Sequence, residues 1–157
     1  MKNPTIDSVR NIINSQRNTQ ANALLSPQCQ PLSYGRLVEQ IDYVGQTLRK
    51  LQISRSDCVA VVLPNGPAMA SAFLGIAAYA TCAPLNPLYR REEVEFYLKD
   101  LGAKAVVVPA DTDLAARQVA EQLGLVLLDL DSSTDMSAGS FIFRGFPLEI
   151  CIVNVAG

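Results

Sequence analysis

Short apolar runs alternate with helical segments through the middle of this chain, and this alternation limits the possible folds more than any other feature. Residues 58–63 (CVAVVL) form a continuous apolar run of the length expected for a buried parallel strand. Further strands are predicted at residues 81–85, 105–108 and 125–130. Strands spaced in this way by helices predict right-handed crossovers and an open, mostly parallel, doubly wound α/β sheet.

The helices between these strands are predicted from the spacing of apolar residues. Ser33 resembles an N-cap, and behind it apolar residues recur every three or four positions as far as Leu51. Residues 68–80 are apolar on nearly all sides, which is typical of a helix buried in a larger body. Helices are also predicted at 91–101, before Gly102, and from a Thr112 cap to Gly124. The spacing of Ile6, Val9, Ile12 and Ile13 predicts a short N-terminal helix, and residues 21–32 read as irregular.

Composition excludes several functional classes. The 157 residues predict one domain, and a hydrophobic fraction of 49% with 18% charged residues is typical of a globular protein. The net charge is -2 and no basic stripe is present, so we expect no nucleic-acid partner. No stretch approaches the ~20 apolar residues of a membrane span, and no signal peptide is evident, so the expected location is cytoplasmic.

Cysteine and histidine usage limits the chemistry further. Histidine is absent, which excludes Ser-His and Cys-His catalysis within this chain. None of the four cysteines is spaced as C-x-x-C, so we expect four small apolar residues and no metal site; they are Cys29, Cys58, Cys82 and Cys151.

The end of the chain departs from the alternating pattern. Residues 132–140 read as a linker, and residues 141–157 (FIFRGFPLEICIVNVAG) are strongly apolar without a helix or strand rhythm. Residues 144–147 are candidates for a turn between two strands. We therefore predict an α/β domain at 1–131, followed by a linker and apolar tail of uncertain structure at 132–157.

Five segments resemble one family when taken together. Leu32-Ser33-Tyr34 is similar to the L-T/S-Y motif that opens a first long helix, and residues 56–60 (SDCVA) resemble G-D-x-V-A. Residues 63–67 (LPNGP), 83–89 (APLNPLY) and 92–98 (EEVEFYL) resemble L-P-N-S-x, A-P-L-N-P-x-Y and E-E-F-E-F-Y-L. The set resembles the N-terminal subdomain of the adenylate-forming acyl-CoA synthetases (the AMP-dependent synthetase/ligase family), and is most similar to oxalate-CoA-ligase-like members.

The resemblance implies a function, and it also implies a phosphate-binding loop that this sequence does not match. Full-length members form an acyl adenylate and then a thioester, with ATP, Mg and CoA, and they continue into a Thr/Ser/Gly-rich loop ending in Lys that holds the ATP phosphates. Residues 132–140 (SSTDMSAGS) are the only candidate here, with one Gly, no Lys and acids at Asp131 and Asp135. We therefore expect a truncated, catalytically incomplete fragment, with no catalytic, cofactor-binding or metal-binding residue to assign and no cofactor bound by this chain alone.

Three places in the sequence have both a functional and a structural interpretation, and a fourth has a structural one alone. Asn65-Gly66 would contact a ligand at the sheet crevice, or would form only the turn before Pro67. Asn86 would line an acyl channel, or would stabilise a turn between Pro84 and Pro87. The remaining candidates are Arg90 and Arg91, as CoA phosphate ligands or solvated charges, and Phe96 and Tyr97, which we expect in the core or half-buried.

Two further expectations follow. Gln52 and Ser56 stand where the family usually has Gly, so a positive φ there would cost about 1 kcal/mol.

Two functional alternatives to an inactive synthetase fragment remain open. One is an interaction subunit of a split synthetase that associates with a partner chain, or with itself, through an exposed apolar face. The other is a non-catalytic ligand-binding α/β module.

Overall fold

A five-stranded sheet lies at the centre of the computed structural model, which describes residues 8–132 and 137–146. The strands are β1 (Asn22–Leu24), β2 (Leu32–Ser33), β3 (Cys58–Val61), β4 (Thr81–Pro84), β5 (Ala103–Pro109), β6 (Val126–Asp131) and β7 (Ile142–Phe143). The helices are α1 (Val9–Asn14), α2 (Tyr34–Lys50), α3 (Pro67–Ala77), α4 (Arg91–Asp100) and α5 (Ala115–Gln122).

The central sheet has the order β4-β3-β5-β6-β7 and confirms the predicted mostly parallel arrangement. Strands β3 to β6 pair in parallel, with Val59 opposite Cys82 on one side and Ala105 on the other. All four residues of β3 are buried, because this strand has neighbours on both edges and helices on both faces. Its continuous apolar run is therefore what a central parallel strand requires.

Helices cover both faces of the sheet, as a doubly wound fold requires. One face packs Val59, Val61 and Val107 against α2 and α3. The opposite face packs Ala60, Val62, Val106 and Val108 against α4 and α5. The close approach of α2 and α3 depends on glycine, because a Cβ added at Gly75 of α3 would lie 2.9 Å from the Val44 side chain of α2.

The two ends of α2 match the sequence predictions. The Ser33 hydroxyl accepts a hydrogen bond from Arg36 N at 3.3 Å, which confirms the N-cap. At the other end Gln52 has φ 56°, and Ile53 N donates to Leu48 O at 2.9 Å, the pattern of a Schellman C-terminus. Gln52 thus confirms the expected left-handed position, whereas Ser56 is not among the positive-φ residues in the described ranges.

Local predictions failed at two places. Residues 21–32 are not wholly irregular, because β1 and β2 form an antiparallel pair. Thr112 does not cap α5, since its hydroxyl donates to Pro109 O at 2.7 Å and the helix begins only at Ala115. The short N-terminal helix is confirmed as α1, and Ile6 lies outside the described residues.

The sheet continues past the predicted boundary at Asp131. Strand β7 pairs antiparallel with β6, and Phe141 and Phe143 have no solvent exposure. The predicted turn after residue 143 is present, with Gly145 at φ 83° and Phe146 N donating to Phe143 O at 3.0 Å. The division into domains at this boundary stays a prediction, and the remainder of the apolar tail, residues 147–157, lies outside the described residues.

Candidate functional site

The carboxyl ends of the parallel strands mark the place where sheets of this type bind ligands. Strand β3 connects through α3 to β4 on one side, whereas β5, β6 and β7 extend the sheet on the other side of β3. The strand order therefore reverses between β3 and β5. The loops that flank this point are residues 64–66 after β3 and residues 110–114 after β5.

The turn after β3 lies at this switch point. Asn65 and Gly66 are exposed, and Pro67 occupies the first position of α3. Pro67 fixes its φ at a helical value and has no N–H that would need a partner at the helix start. The sequence at this turn is therefore explained by its structural role. A ligand contact at Asn65-Gly66 stays a prediction.

Asn86 stabilises the turn after β4 from within. Its Oδ1 accepts a hydrogen bond from Leu88 N at 2.9 Å, and its carbonyl accepts one from Tyr89 N at 3.1 Å. These bonds are those of an Asx turn followed by a β-turn. The structural interpretation of Asn86 therefore accounts for its place between Pro84 and Pro87.

The arginines before α4 face solvent and neighbouring polar groups. Arg90 N donates to the Glu93 carboxylate at 2.8 Å at the start of α4. The Arg91 guanidinium donates to the side-chain oxygens of Gln118 and Gln122 on α5. These contacts fit the structural alternative, in which the pair lies on a solvated helix start.

The two aromatic residues of α4 have different environments. Tyr97 is half-buried, as predicted, and stacks on Tyr89 with ring centroids 5.2 Å apart. Phe96 is 61% exposed, so the expectation that it lies in the core or half-buried is wrong. The buried stripe of α4 runs through Val94 and Leu98, and Phe96 lies between them on the opposite side of the helix.

A charged cluster that the sequence analysis did not single out lies at the same edge of the sheet. Arg144 donates to both carboxylate oxygens of Asp111, at 2.7 and 2.5 Å, and its Nη2 lies 3.3 Å from the carboxylate of Asp131. The hydrogen bonds from Arg144 lower the pKa of Asp111 below its ordinary value. This cluster could have been predicted from the sequence by one feature: Asp111 follows β5 and Asp131 ends β6, so both acids lie at the carboxyl ends of neighbouring strands.

A second ion pair holds the loop after β5. Arg117 Nη2 lies 2.5 Å from the Asp129 carboxylate, and its guanidinium also donates to Thr112 O at 2.8 Å and Pro109 O at 3.1 Å. This loop is therefore tied to β6 at the switch point. Both arginines are already paired with carboxylates, so neither offers an uncommitted positive charge to a phosphate.

The described part of the candidate phosphate loop uses its backbone donors internally. Ala138 N donates to Gln30 O at 2.8 Å, Ser140 N to Ser137 O at 2.9 Å, and Phe141 N to Gln40 Oε1 at 3.3 Å. A phosphate cradle needs several amides that point at one anion. The amides of Ala138, Ser140 and Phe141 are thus already bonded. The described part of the expected linker is also not solvated, because Ala138 and Ser140 are buried.

Two cysteines on neighbouring strands, Cys58 and Cys82, are held in the neutral thiol form. Burial raises the pKa of Cys82 to about 12 and also raises that of Cys58. Residues 8–132 and 137–146 contain no group of three His, Cys, Asp or Glu side chains that could hold a metal ion. Cys151 lies outside these ranges. Within the same residues, no helix has the length and apolar character that a membrane span requires.

The fold is shared with solved structures, one of which is named as a CoA ligase. The chain is similar to a benzoate CoA ligase from Burkholderia xenovorans LB400, with a TM-score of 0.68, 21% identity, and 76% of this chain and 25% of that chain covered. It is also similar to ATP-bound MatB from Rhodopseudomonas palustris, with a TM-score of 0.69, 19% identity, and coverages of 78% and 25%. At these identities the likeness establishes the fold.

Curated relatives and a family model give the sequence relationship. A probable CoA ligase, CCL9 of Humulus lupulus, is 36% identical over 60% of this chain and 18% of its own length. The oxalate–CoA ligase of Arabidopsis thaliana is 34% identical over 68% of this chain and 22% of its own length. The chain therefore spans about a fifth of these relatives. The family model described as AMP-binding enzyme matches residues 13–140. Because this match extends over most of the chain, the chain belongs to the AMP-binding enzyme family.

Proposed function

We propose that this chain forms the first α/β unit of an ATP-dependent carboxylic acid–CoA ligase and does not form acyl adenylates by itself. The first part is supported by the family match over residues 13–140 and by relatives named as CoA and oxalate–CoA ligases. In such an enzyme this unit would serve as a scaffold beside the ATP, Mg and CoA sites.

One observation carries the second part of the proposal. The backbone amides of Ala138, Ser140 and Phe141 are hydrogen-bonded within the protein, and the nearby Arg144 is paired with Asp111 and Asp131. Adenylate formation needs donors that are free to stabilise negative charge developing on the phosphates. In the described segment that most resembles a phosphate loop, these three backbone donors are therefore already engaged.

The test is a pyrophosphate-release assay on the purified chain with ATP, MgCl2 and a panel of acids. The panel contains oxalate, benzoate and 4-coumarate, because the similar proteins are named for these acids. We expect no release above the background without protein, and a full-length oxalate–CoA ligase serves as the positive control. Release that depends on this chain would overturn the second part of the proposal.

A second candidate function is an interaction subunit, and an exposed apolar surface favours it. Leu88 is 86% exposed and Phe96 is 61% exposed, beside the stacked pair Tyr89 and Tyr97. Exposed apolar residues beside stacked aromatic rings are typical of protein–protein contacts. Phe73 on α3, which covers the other face of the sheet, is a separate exposed residue at 39%. The partner would be a chain carrying the missing ligase parts, or a second copy of this one.

Two measurements separate the candidate functions. A sharply melting monomer that binds no hydrophobic dye would contradict the interaction subunit. A rise in melting temperature with ATP, AMP, CoA or an acyl-CoA would support the ligand-binding module, because a ligand of the native state stabilises it. The cytoplasmic location and the absence of a nucleic-acid partner remain predictions.

A further inference from the structure

The turn between β3 and α3 contains the only Asn-Gly sequence of this chain, at Asn65-Gly66. Asparagine is one of the thermolabile residues of proteins, because the backbone nitrogen that follows it can attack the side-chain carbonyl carbon. This attack needs an N–H group that solvent can deprotonate, and it is least hindered before glycine, which has no Cβ. The fold determines which asparagines of the chain meet these conditions.

Both reacting groups at Asn65-Gly66 are accessible. The two residues are exposed, and a Cβ built at Gly66 would meet no heavy atom within 4 Å. Within the described residues, the Gly66 N–H donates to no acceptor and the Asn65 side-chain amide makes no hydrogen bond. The Gly66 carbonyl does accept a bond, from Ala70 N at 3.1 Å, at the start of α3. The attacking nitrogen and the amide under attack therefore have no hydrogen bond to break before they react.

The other asparagines in the described part of the chain are less favourably placed. The N–H groups that follow Asn11, Asn14 and Asn18 donate to backbone carbonyls at 3.1, 3.1 and 3.0 Å. A hydrogen-bonded N–H has to lose that bond before its nitrogen can attack. Asn86 precedes a proline, which has no N–H. Asn22 lies in β1 and precedes an alanine, whose Cβ hinders the approach.

We propose that Asn65 is a site of spontaneous deamidation in the folded protein. The Gly66 nitrogen loses its proton to solvent and bonds to Cγ of Asn65, the Cγ–Nδ2 bond breaks, and ammonia leaves with a proton from solvent. Water then opens the resulting cyclic imide. Opening at Cγ gives aspartate, whereas opening at the backbone carbonyl gives isoaspartate, in which the main chain runs through the former side chain. The inference goes beyond the proposed ligase role and does not depend on it.

The aspartate product places a negative charge where the fold tolerates one. Helix α3 has no side-chain hydrogen bond at its N-cap and no acidic residue in its first turn. A carboxylate beside a helix N-terminus interacts favourably with the helix dipole. Deamidation should therefore take the net charge from -2 to -3 without unfolding the protein.

The test is a time course on the purified full chain, held at neutral and mildly alkaline pH below its unfolding transition. Isoelectric focusing should show conversion to a species with one more negative charge, and peptide mapping by mass spectrometry should find the new acid at position 65. A methyltransferase specific for isoaspartate should label the same peptide. The rate should rise in proportion to hydroxide concentration, because the attacking nitrogen has to lose its proton.

One variant and two residues of the same chain serve as controls. Asn65→Gln lengthens an exposed side chain, so that attack would have to close a larger ring, and the charge shift should be lost. Asn14 and Asn18 should keep their amides in the folded protein over the same period. Acid that forms no faster at Asn65 than at these two residues overturns the proposal. A charge shift that persists in Asn65→Gln overturns it as well, since another amide would then be responsible.

A peptide separates the effect of the fold from that of the sequence. The peptide has the sequence of residues 62–69 (VLPNGPAM) and is incubated beside the protein. Because neither group at the turn is hydrogen-bonded, Asn65 in the folded protein should react no more than about 10-fold slower than in the peptide, the factor that one net hydrogen bond would contribute. A peptide that reacts while the folded protein does not would contradict the proposal, because the turn would then hold Cγ away from the Gly66 nitrogen.

Discussion

Gln52 occupies a backbone conformation that L-residues adopt at a cost, so replacing it with glycine should stabilise the protein. Its φ is 56°, at the position after the C-cap of α2. The left-handed conformation costs an L-residue about 1–2 kcal/mol, whereas glycine adds roughly 0.5–1 kcal/mol of conformational entropy to the unfolded chain. For Gln52→Gly the difference is a gain of about 0.5–1 kcal/mol in the free energy of unfolding.

The measurement is urea and thermal unfolding followed by circular dichroism. For a chain of this size the gain corresponds to a rise in melting temperature of about 1–4 °C. Gln52→Ala is the matched control, because it removes the exposed amide and keeps the strained backbone, and its stability should change by less than about 0.5 kcal/mol. If Gln52→Ala stabilised the protein as much as Gln52→Gly, the side chain and not the backbone would be responsible.

The reverse substitution tests the same reasoning from the other side. Gly124 has φ 67° at the corresponding position after α5, and a Cβ built there meets no heavy atom within 4 Å. Gly124→Ala therefore tests backbone conformation without a steric clash, and we expect a loss of about 1 kcal/mol. A neutral result at Gly124, together with no gain from Gln52→Gly, would refute the argument.

Three further predictions concern the core, pH and the thiols. Phe143 is fully buried, so Phe143→Ala should cost about 3–5 kcal/mol in unfolding free energy, whereas the exposed Phe96→Ala should cost less than about 0.5 kcal/mol in the same urea titration. Hydrogen bonds from Ser54 lower the pKa of Asp57 below its ordinary value. Its contribution to stability is therefore fully present above the ordinary carboxyl pKa and is lost as pH falls through the lowered one, and Asp57→Asn should flatten this acidic part of the pH–stability curve. Because Cys58 is buried and burial raises its pKa, iodoacetamide at neutral pH should modify the partly exposed Cys29 first and reach Cys58 only on unfolding, as peptide mapping would show; equal rates in the native protein would contradict the burial of Cys58.

Sequence patterns predicted the parts of the fold whose signals are local. The apolar run at residues 58–63 predicted β3, and the Ser33 cap and its apolar stripe predicted α2, because each pattern reports burial within one element. The positive φ at Gln52 was expected from the resemblance, because the family usually has Gly at this position, and the same expectation was wrong at Ser56. Thr112 shows the limit of such signals, because a hydroxyl that caps a helix in one context bonds a preceding carbonyl in another.

The candidate site was predictable only in part. The carboxyl edge of the sheet followed from the α/β class, and the bonds of Asn86 agree with the turn interpretation. The ion pairs of Arg144 with Asp111 and Asp131 were not predicted, since Arg144 and Asp111 are 33 positions apart and nothing in either local pattern indicates the other. The exposure of Phe96 was also missed, because residue type alone favoured burial.

The sequence by itself determined the class of this protein: alternating apolar runs and helical stripes specify a parallel sheet covered by helices, whatever their exact contacts. Tertiary structure alone decided the environment of residues 137–146. These residues read as a linker and an apolar tail, yet Phe141 and Phe143 are in the core. Their backbone is bound by Gln40 and Tyr43, about a hundred positions earlier in the chain. The physical reason is that a strand at a sheet edge needs partners for its outward backbone groups, and only folding determines which distant side chains can reach them.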